Sequence, residues 1–343
     1  MENISLNGDF MFTKQKLLKI DKNYMYHKIL HMPEQVYLAY ECEIKNPIKT
    51  GVKRVILSGM GGSGISSFIA KSVFGKDISI DIFSDYLPPF IDKNTLFITS
   101  SYSGNTSETL SSFDIAKKHT DNIVVISTGG KLLKRVSKKY PFIKLEKDKY
   151  PPRTSICYQF FAIVKILEHY QLIKSQEDVV KRLLPLLSYK TNALCLNSKY
   201  NIAHISAKKI MGRTPIIYST SPELFPAAYR LKCQFNEMAD YPAFASSLPE
   251  AFHNEVQSFD NKMFKNNFIP IILSDFSKRA IKERKKLIKS FGKMEYLEFY
   301  AEGKTLIEKI FSLIYLGDMI SYYLAIELKV DPYTIDIITK IKD

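Results

Sequence analysis

The sequence predicts an α/β fold: two doubly wound domains, each a parallel sheet flanked by helices. Three observations carry that expectation. Short apolar runs alternate with segments of helical periodicity from residue 50 to about 150, the pattern of strands buried on both faces and joined by crossover helices. A second set in the same order follows residue 200, so two copies of one architecture are expected on element order alone. The chain has 343 residues, 45% of them apolar, which is too long for one small core and rich enough to build two.

Taken in order, residues 1–45 hold Leu17, Ile20, Met25, Ile29, Leu30, Val36 and Ala39 at irregular helical spacing, which predicts one or two helices. His27 and His31 share an i, i+4 spacing, but without an HExxH carboxylate or a third ligand they read as a surface pair. Strands are predicted at 52–58, 78–83, 95–100, 122–128 and 142–147, with helices at 66–74, 106–118 and 131–138. Pro151-Pro152 breaks the chain ahead of a helix over 155–170. The charged stretch 173–200 reads as a helical linker, with Pro185 marking a kink or an end. Strands at 214–220, 241–247, 267–274 and 294–300 then alternate with helices at 222–236, 250–258, 277–290 and 304–326. This divides the chain into an N-terminal helical segment (1–48), a first domain (49–172), the linker (173–200) and a second domain (201–343).

The formal net charge is +14. The charges are dispersed. Their densest cluster, KRAIKERKKLIK at 278–289, places Ile281, Leu287 and Ile288 on one side of an amphipathic helix with a basic outer face. That pattern predicts a solvated surface that attracts small anions, with no nucleic acid as partner. The reading counts no apolar run of bilayer length, hence no membrane partner, and no basic-then-apolar start of the secretory kind. Cys42, Cys157, Cys195 and Cys233 are scattered without a CxxC, which suggests reduced thiols and a cytoplasmic location.

Two loops carry the chemistry. Ser58-Gly59-Met60-Gly61-Gly62-Ser63-Gly64 follows the strand Val55-Ile56-Leu57 and opens a helix. A helix N-terminus offers unpaired N–H donors and roughly half a positive elementary charge, and glycines let the backbone approach an anion. Alone, Gly59-x-Gly61-x-x-Gly64 would equally serve a dinucleotide. The second loop, Ser101-Tyr102-Ser103-Gly104-Asn105-Thr106, also follows a strand and opens a helix. Its hydroxyls at Ser101, Ser103 and Thr106 can donate to phosphate oxygens, and a dinucleotide needs no second cradle. Thr106 as a plain N-cap would explain one hydroxyl of the three.

GMGGSG at 59–64 together with SYSGNTSETL at 101–110 resembles the sugar isomerase (SIS) domain. With PPRTS (151–155), FNE (235–237), LPEAFHNE (248–255) and DPYTIDIITKIK (331–342), the chain resembles the bifunctional phosphoglucose/phosphomannose isomerases over nearly its whole length. The resemblance implies two SIS-type domains and an aldose–ketose isomerase. Such an enzyme interconverts glucose 6-phosphate, and also mannose 6-phosphate, with fructose 6-phosphate through a cis-enediol, without cofactor or metal. It implies that Gly62, Ser63, Ser101, Ser103 and Thr106 hold the substrate phosphate. It assigns Arg153 to the enediolate, Glu237 to proton transfer between C1 and C2, and His253 and Lys342 to ring opening. It also implies a homodimer in which His253 crosses to the neighbouring subunit, and a C-terminal helix that returns to the active site. Ile335, Ile338 and Ile341 would give that helix its docking face, and burial would raise the Glu237 carboxyl toward working pH. The sequence departs from the family's usual pattern at Met238, Asp240, Phe252 and Ile335. Two rivals remain at this stage: a sugar-phosphate-binding SIS regulator without turnover, and a nicotinamide-dependent oxidoreductase resting on GxGxxG.

Overall fold

The computed structural model describes residues 14–45, 51–88, 90–136, 139–147 and 149–342. Among these, the first sheet comprises β1 (Arg54–Gly59), β2 (Ile80–Phe83), β3 (Thr95–Ser100), β4 (Ile123–Ser127) and β5 (Phe142–Lys144), in the order β2-β1-β3-β4-β5. The second comprises β6 (Thr214–Ser219), β7 (Phe244–Ser247), β8 (Phe268–Ser274) and β9 (Leu297–Tyr300), in the order β7-β6-β8-β9. Every pairing within both sheets is parallel. The strand order of the second sheet repeats the first, less one edge strand. β3 and β4 are buried along their whole length, as continuous apolar strands covered on both faces must be.

The two sheets share one apolar core, which runs through Val55, Ile98, Phe160, Ile217, Ile271 and Tyr315. At its centre lies the helix Leu306–Leu328, started by a Thr305/Glu308 capping box and ended by Lys329 at φ 60°. It packs on the helices Ile202–Ile210, Phe225–Met238 and Glu177–Leu194. Phe311 meets Phe160 and Phe161 of the helix Ile156–His169 at ring-centroid distances of 5.1 and 5.7 Å. By length and composition this helix could cross a membrane, which corrects the reading that no run was long enough. In the structure 94% of its apolar window is buried inside the protein.

Other expectations shift for local reasons. The N-terminal segment holds helices Lys14–Ile20, Met25–Leu30 and Met32–Tyr40. Asp21 separates the first two by accepting the N–H groups of Met25 and Tyr26 at 2.7 and 2.9 Å. The expected helix 131–138 is seen as Gly130–Val136, and its last two residues lie outside the described residues. Pro185 neither ends nor begins a helix; it lies inside Glu177–Leu194. Its position is exposed, so the Lys181 carbonyl left without a donor can take water. In place of a helix over 250–258 the chain makes two 3₁₀ turns, Glu250–His253 and Glu255–Asp260. They are split at Asn254, whose side chain accepts the Glu255 N–H. Of the isoleucines expected to dock the C-terminal helix Asp336–Lys342, Ile335 and Ile338 are half-buried and Ile341 is 79% exposed. All four cysteines are free.

The N-terminal helices grip the segment that leads to Pro151-Pro152. Glu34 accepts hydrogen bonds from Lys149 (2.9 Å), His31 (2.6 Å) and the Tyr150 hydroxyl (2.9 Å). The Lys149 bond, followed by those of His31 and Tyr150, holds the Glu34 carboxyl down to about 2 from an ordinary 4.5. A carboxyl lowered in the folded state stabilises the fold above its unfolded pKa, and that contribution is lost as pH falls toward the folded value. The urea midpoint of the native protein should therefore fall more steeply between pH 4.5 and about 2 than that of Glu34→Gln. Parallel curves would show that the cluster does not couple to folding.

Candidate active site

The site begins where the strand order of the first sheet reverses. β1 and β3 are neighbours with Gly59 in register with Ser100, while β2 lies on the far side of β1. The crevice beyond the carboxyl ends of two such strands is where open α/β sheets bind ligands. Both hydroxyl- and glycine-rich loops start there.

The helix after β1 starts at Gly61, earlier than expected, and runs to Phe74. Gly62 and Ser63 therefore lie in its first turn; the Ser63 and Gly64 N–H groups donate to the Met60 carbonyl at 3.0 and 3.2 Å, which leaves those of Gly61 and Gly62 without an intrahelical acceptor. A Cβ on Gly62 would come within 2.9 Å of the Pro152 carbonyl oxygen, so only glycine lets the 3₁₀ turn Pro152–Thr154 pack on this helix start. Ser63 is buried and its Oγ donates to Gln159 Oε1 at 2.5 Å. Gln159 Nε2 in turn donates to Ser155 Oγ at 2.7 Å. The sequence reading missed Gln159. Its signal is a glutamine, fully buried in the structure, inside the apolar run 156–164.

In the second loop Ser101 is buried, and its Oγ accepts the Gly104 N–H at 3.1 Å and pairs with Thr106 Oγ1 at 3.0 Å. Thr106 stands at the N-cap of the helix Ser107–Ala116, yet its side chain makes no cap hydrogen bond. Of two hydroxyls bonded to each other, one donates and the other keeps a proton for a third group. Ser103 is exposed, with its Oγ accepting the Asn105 N–H at 3.2 Å. The loop is braced from behind by the turn after β4. Thr128 Oγ1 donates to the Tyr102 carbonyl at 2.7 Å, and the Lys131 N–H to Asn105 Oδ1 at 3.0 Å. Gly104, at φ +69°, faces Gly129 so closely that a Cβ would fall 1.9 Å from its carbonyl oxygen. The Gly129-Gly130 pair after a strand was the sequence signal for this brace, and it was overlooked.

Arg153 lies in the Pro152–Thr154 turn with 6% of its side chain exposed. Its Nη1 donates to the carbonyls of Pro332 (2.8 Å) and Glu237 (3.0 Å), and its Nη2 to that of Tyr333 (3.0 Å). Its Nε is 3.8 Å from Glu237 Oε2. Burial pushes the guanidinium pKa down, and the Glu237 carboxylate opposes that. Glu237 ends the helix Phe225–Met238, and its side chain is 29% exposed rather than buried as expected. The Arg153 bonds bring the Pro332-Tyr333 segment to the site. His253 is exposed in its 3₁₀ turn, and no hydrogen bond or ion pair joins it to Arg153 or Glu237 within this chain. The side chain of Lys342 lies outside the described residues.

The fold and the paired cradles define a SIS-type α/β protein. A family model described as the bacterial phospho-glucose isomerase C-terminal SIS domain matches residues 199–343. A bifunctional phosphoglucose/phosphomannose isomerase of Caldicellulosiruptor bescii is 32% identical over 90% of this chain and 95% of its own. The D-glucosamine-6-phosphate 4-epimerase of Sulfolobus acidocaldarius is 31% identical over 89% and 94%. Among solved structures, the C-terminal domain of glucosamine-fructose-6-phosphate aminotransferase from Francisella tularensis superposes with a TM-score of 0.68 at 15% identity, covering 91% of this chain and 97% of that one. The chain belongs to the bifunctional phosphoglucose/phosphomannose isomerase family and is an isomerase.

The Gly104 contact predicts the behaviour of the cradle. Gly104→Ala is expected to cost about 1–3 kcal/mol of stability and to weaken binding of inorganic phosphate measured by calorimetry. Unchanged phosphate affinity in a folded variant would exclude this loop from the anion site.

Proposed function

We propose that this protein interconverts glucose 6-phosphate and fructose 6-phosphate, and also mannose 6-phosphate and fructose 6-phosphate, by proton transfer through a cis-enediol(ate). The observation that carries the reading is the buried Arg153 with its Nε 3.8 Å from the Glu237 carboxylate, beside a sheet edge where two anion cradles open. Gly62, Ser63, Ser101, Ser103 and Thr106 hold the phosphate, the inert end of the substrate. Glu237 removes the proton from C2 of the aldose and returns it to C1. Its partial exposure leaves room for a sugar carbon to reach it. Arg153, already desolvated, faces the charge that develops on the oxygen as the enediolate forms. His253 and Lys342 open the ring. The domain 49–172 supplies the phosphate site, and 201–343 supplies Glu237 and the C-terminal helix.

The test is an isomerase assay in EDTA on a panel of glucose, mannose and glucosamine 6-phosphates. Native protein should convert the first two, and Glu237→Gln should lose at least about 100-fold in kcat. Full activity in the variant would refute the mechanism. Turnover of glucosamine 6-phosphate alone would replace the substrate assignment, and binding of all three without turnover would favour the regulator.

The exposure of His253 and the absence of a site partner for it among the described residues support a homodimer in which it serves the other copy. Activity per subunit should then fall as the protein is diluted through its dimer dissociation constant. Constant specific activity for a monomer, verified by sedimentation, would contradict this.

A further inference from the structure

The proposed chemistry leaves one buried charge pair unused. Arg230 and Asp318 are 2% and 1% exposed. Arg230 Nη2 donates to Asp318 Oδ2 at 2.7 Å and Nε to Oδ1 at 3.2 Å, a two-pronged contact deep in the shared core. Two charges taken out of water are seldom repaid by their mutual attraction, and apolar residues of similar volume usually stabilise as well or better. The pair therefore asks for a reason beyond stability.

A further bond supplies one. Arg230 Nη2 also donates to the main-chain carbonyl of Arg153 at 2.5 Å. Arg230 and Glu237 lie two turns apart on one face of the helix Phe225–Met238. This single helix thus holds Arg153 at two levels: its carbonyl through the Arg230 side chain, and its guanidinium through the Glu237 carbonyl at 3.0 Å. Asp318, on the buried helix Leu306–Leu328, fixes the plane of the Arg230 guanidinium.

We propose that Arg230, oriented by Asp318, is a positioning residue: it fixes the Arg153 main chain and so sets the Arg153–Glu237 geometry used in proton transfer. This rests on the reading of Arg153 and Glu237 as the catalytic pair. The hydroxyl loop 101–106 lies on other elements, while the Arg153 turn packs on Gly62, so the pair acts chiefly on kcat and only secondarily on substrate binding.

The experiment compares the paired variant Arg230→Met/Asp318→Leu, the variant Arg230→Lys and Glu237→Gln by steady-state isomerase kinetics, thermal melting and calorimetric glucose 6-phosphate binding. The paired variant removes both charges together and is expected to melt no lower than the native protein. Its kcat should fall by about 100-fold, the cost of roughly 1 Å of misplacement at a reacting centre, with a far smaller change in KM and glucose 6-phosphate affinity. Arg230→Lys keeps a donor and should recover part of kcat. A paired variant with native kcat, or one whose KM rises while kcat holds, overturns the proposal. If the paired variant does not fold, Arg230→Gln/Asp318→Asn, too short to reach the Arg153 carbonyl, is judged by the same outcomes. Glu237→Gln separates the two layers. Activity retained there refutes the catalytic pair itself, while activity lost there and native kcat in the paired variant refutes only the positioning role.

Discussion

A guanidinium with 6% exposure, held by three main-chain carbonyls from remote parts of the chain, is the contact on which the candidate site depends. A buried cation must be hydrogen-bonded or its burial is prohibitively costly. Arg153 meets that demand by drawing in Glu237 from the second half and Pro332-Tyr333 from the C-terminal end. The turn that carries it is itself fixed on other sides. Gly62 admits the Pro152 carbonyl, Gln35 donates to the Thr154 carbonyl at 2.7 Å, and Gln159 ties Ser155 to Ser63. The candidate phosphate cradle and the cation are thereby parts of one hydrogen-bonded assembly, with the Glu237 carboxylate 3.8 Å from Arg153 Nε.

Much of this was legible in the sequence because it follows from local chemistry. Strands buried on both faces read as unbroken apolar runs, and Arg54–Gly59, Thr95–Ser100 and Ile123–Ser127 stand where such runs predict them. The glycine loop and the hydroxyl loop announced themselves through residue type and position after a strand. Their adjacency did not, since it depends on β1 and β3 pairing past β2. Helix existence was readable and helix environment was not: Leu306–Leu328 is apolar on all sides because it is enclosed by both halves, which only the tertiary arrangement reveals.

The buried polar side chains on helices were the least legible. Gln159, Arg230 and Asp318 look like interruptions of a hydrophobic pattern until their partners are known, and those partners are distant in sequence. The isoleucines of the C-terminal helix show the converse. Their spacing suggested a docking face, yet the segment is anchored one turn earlier by carbonyls that carry no sequence signal. Family membership rests on 32% identity across most of the chain. The roles proposed for His253 and Lys342 rest on the resemblance.

The central claim is that a carboxylate passes a proton between neighbouring carbons of a sugar phosphate. Running the isomerase reaction on fructose 6-phosphate in D₂O and following the aldose C2 position by NMR tests it most directly. The account predicts deuterium accumulating at C2 over repeated turnovers, because a proton held on Glu237, whose side chain is 29% exposed, exchanges with solvent. Sustained interconversion with no deuterium at C2 would indicate direct hydride transfer and contradict it.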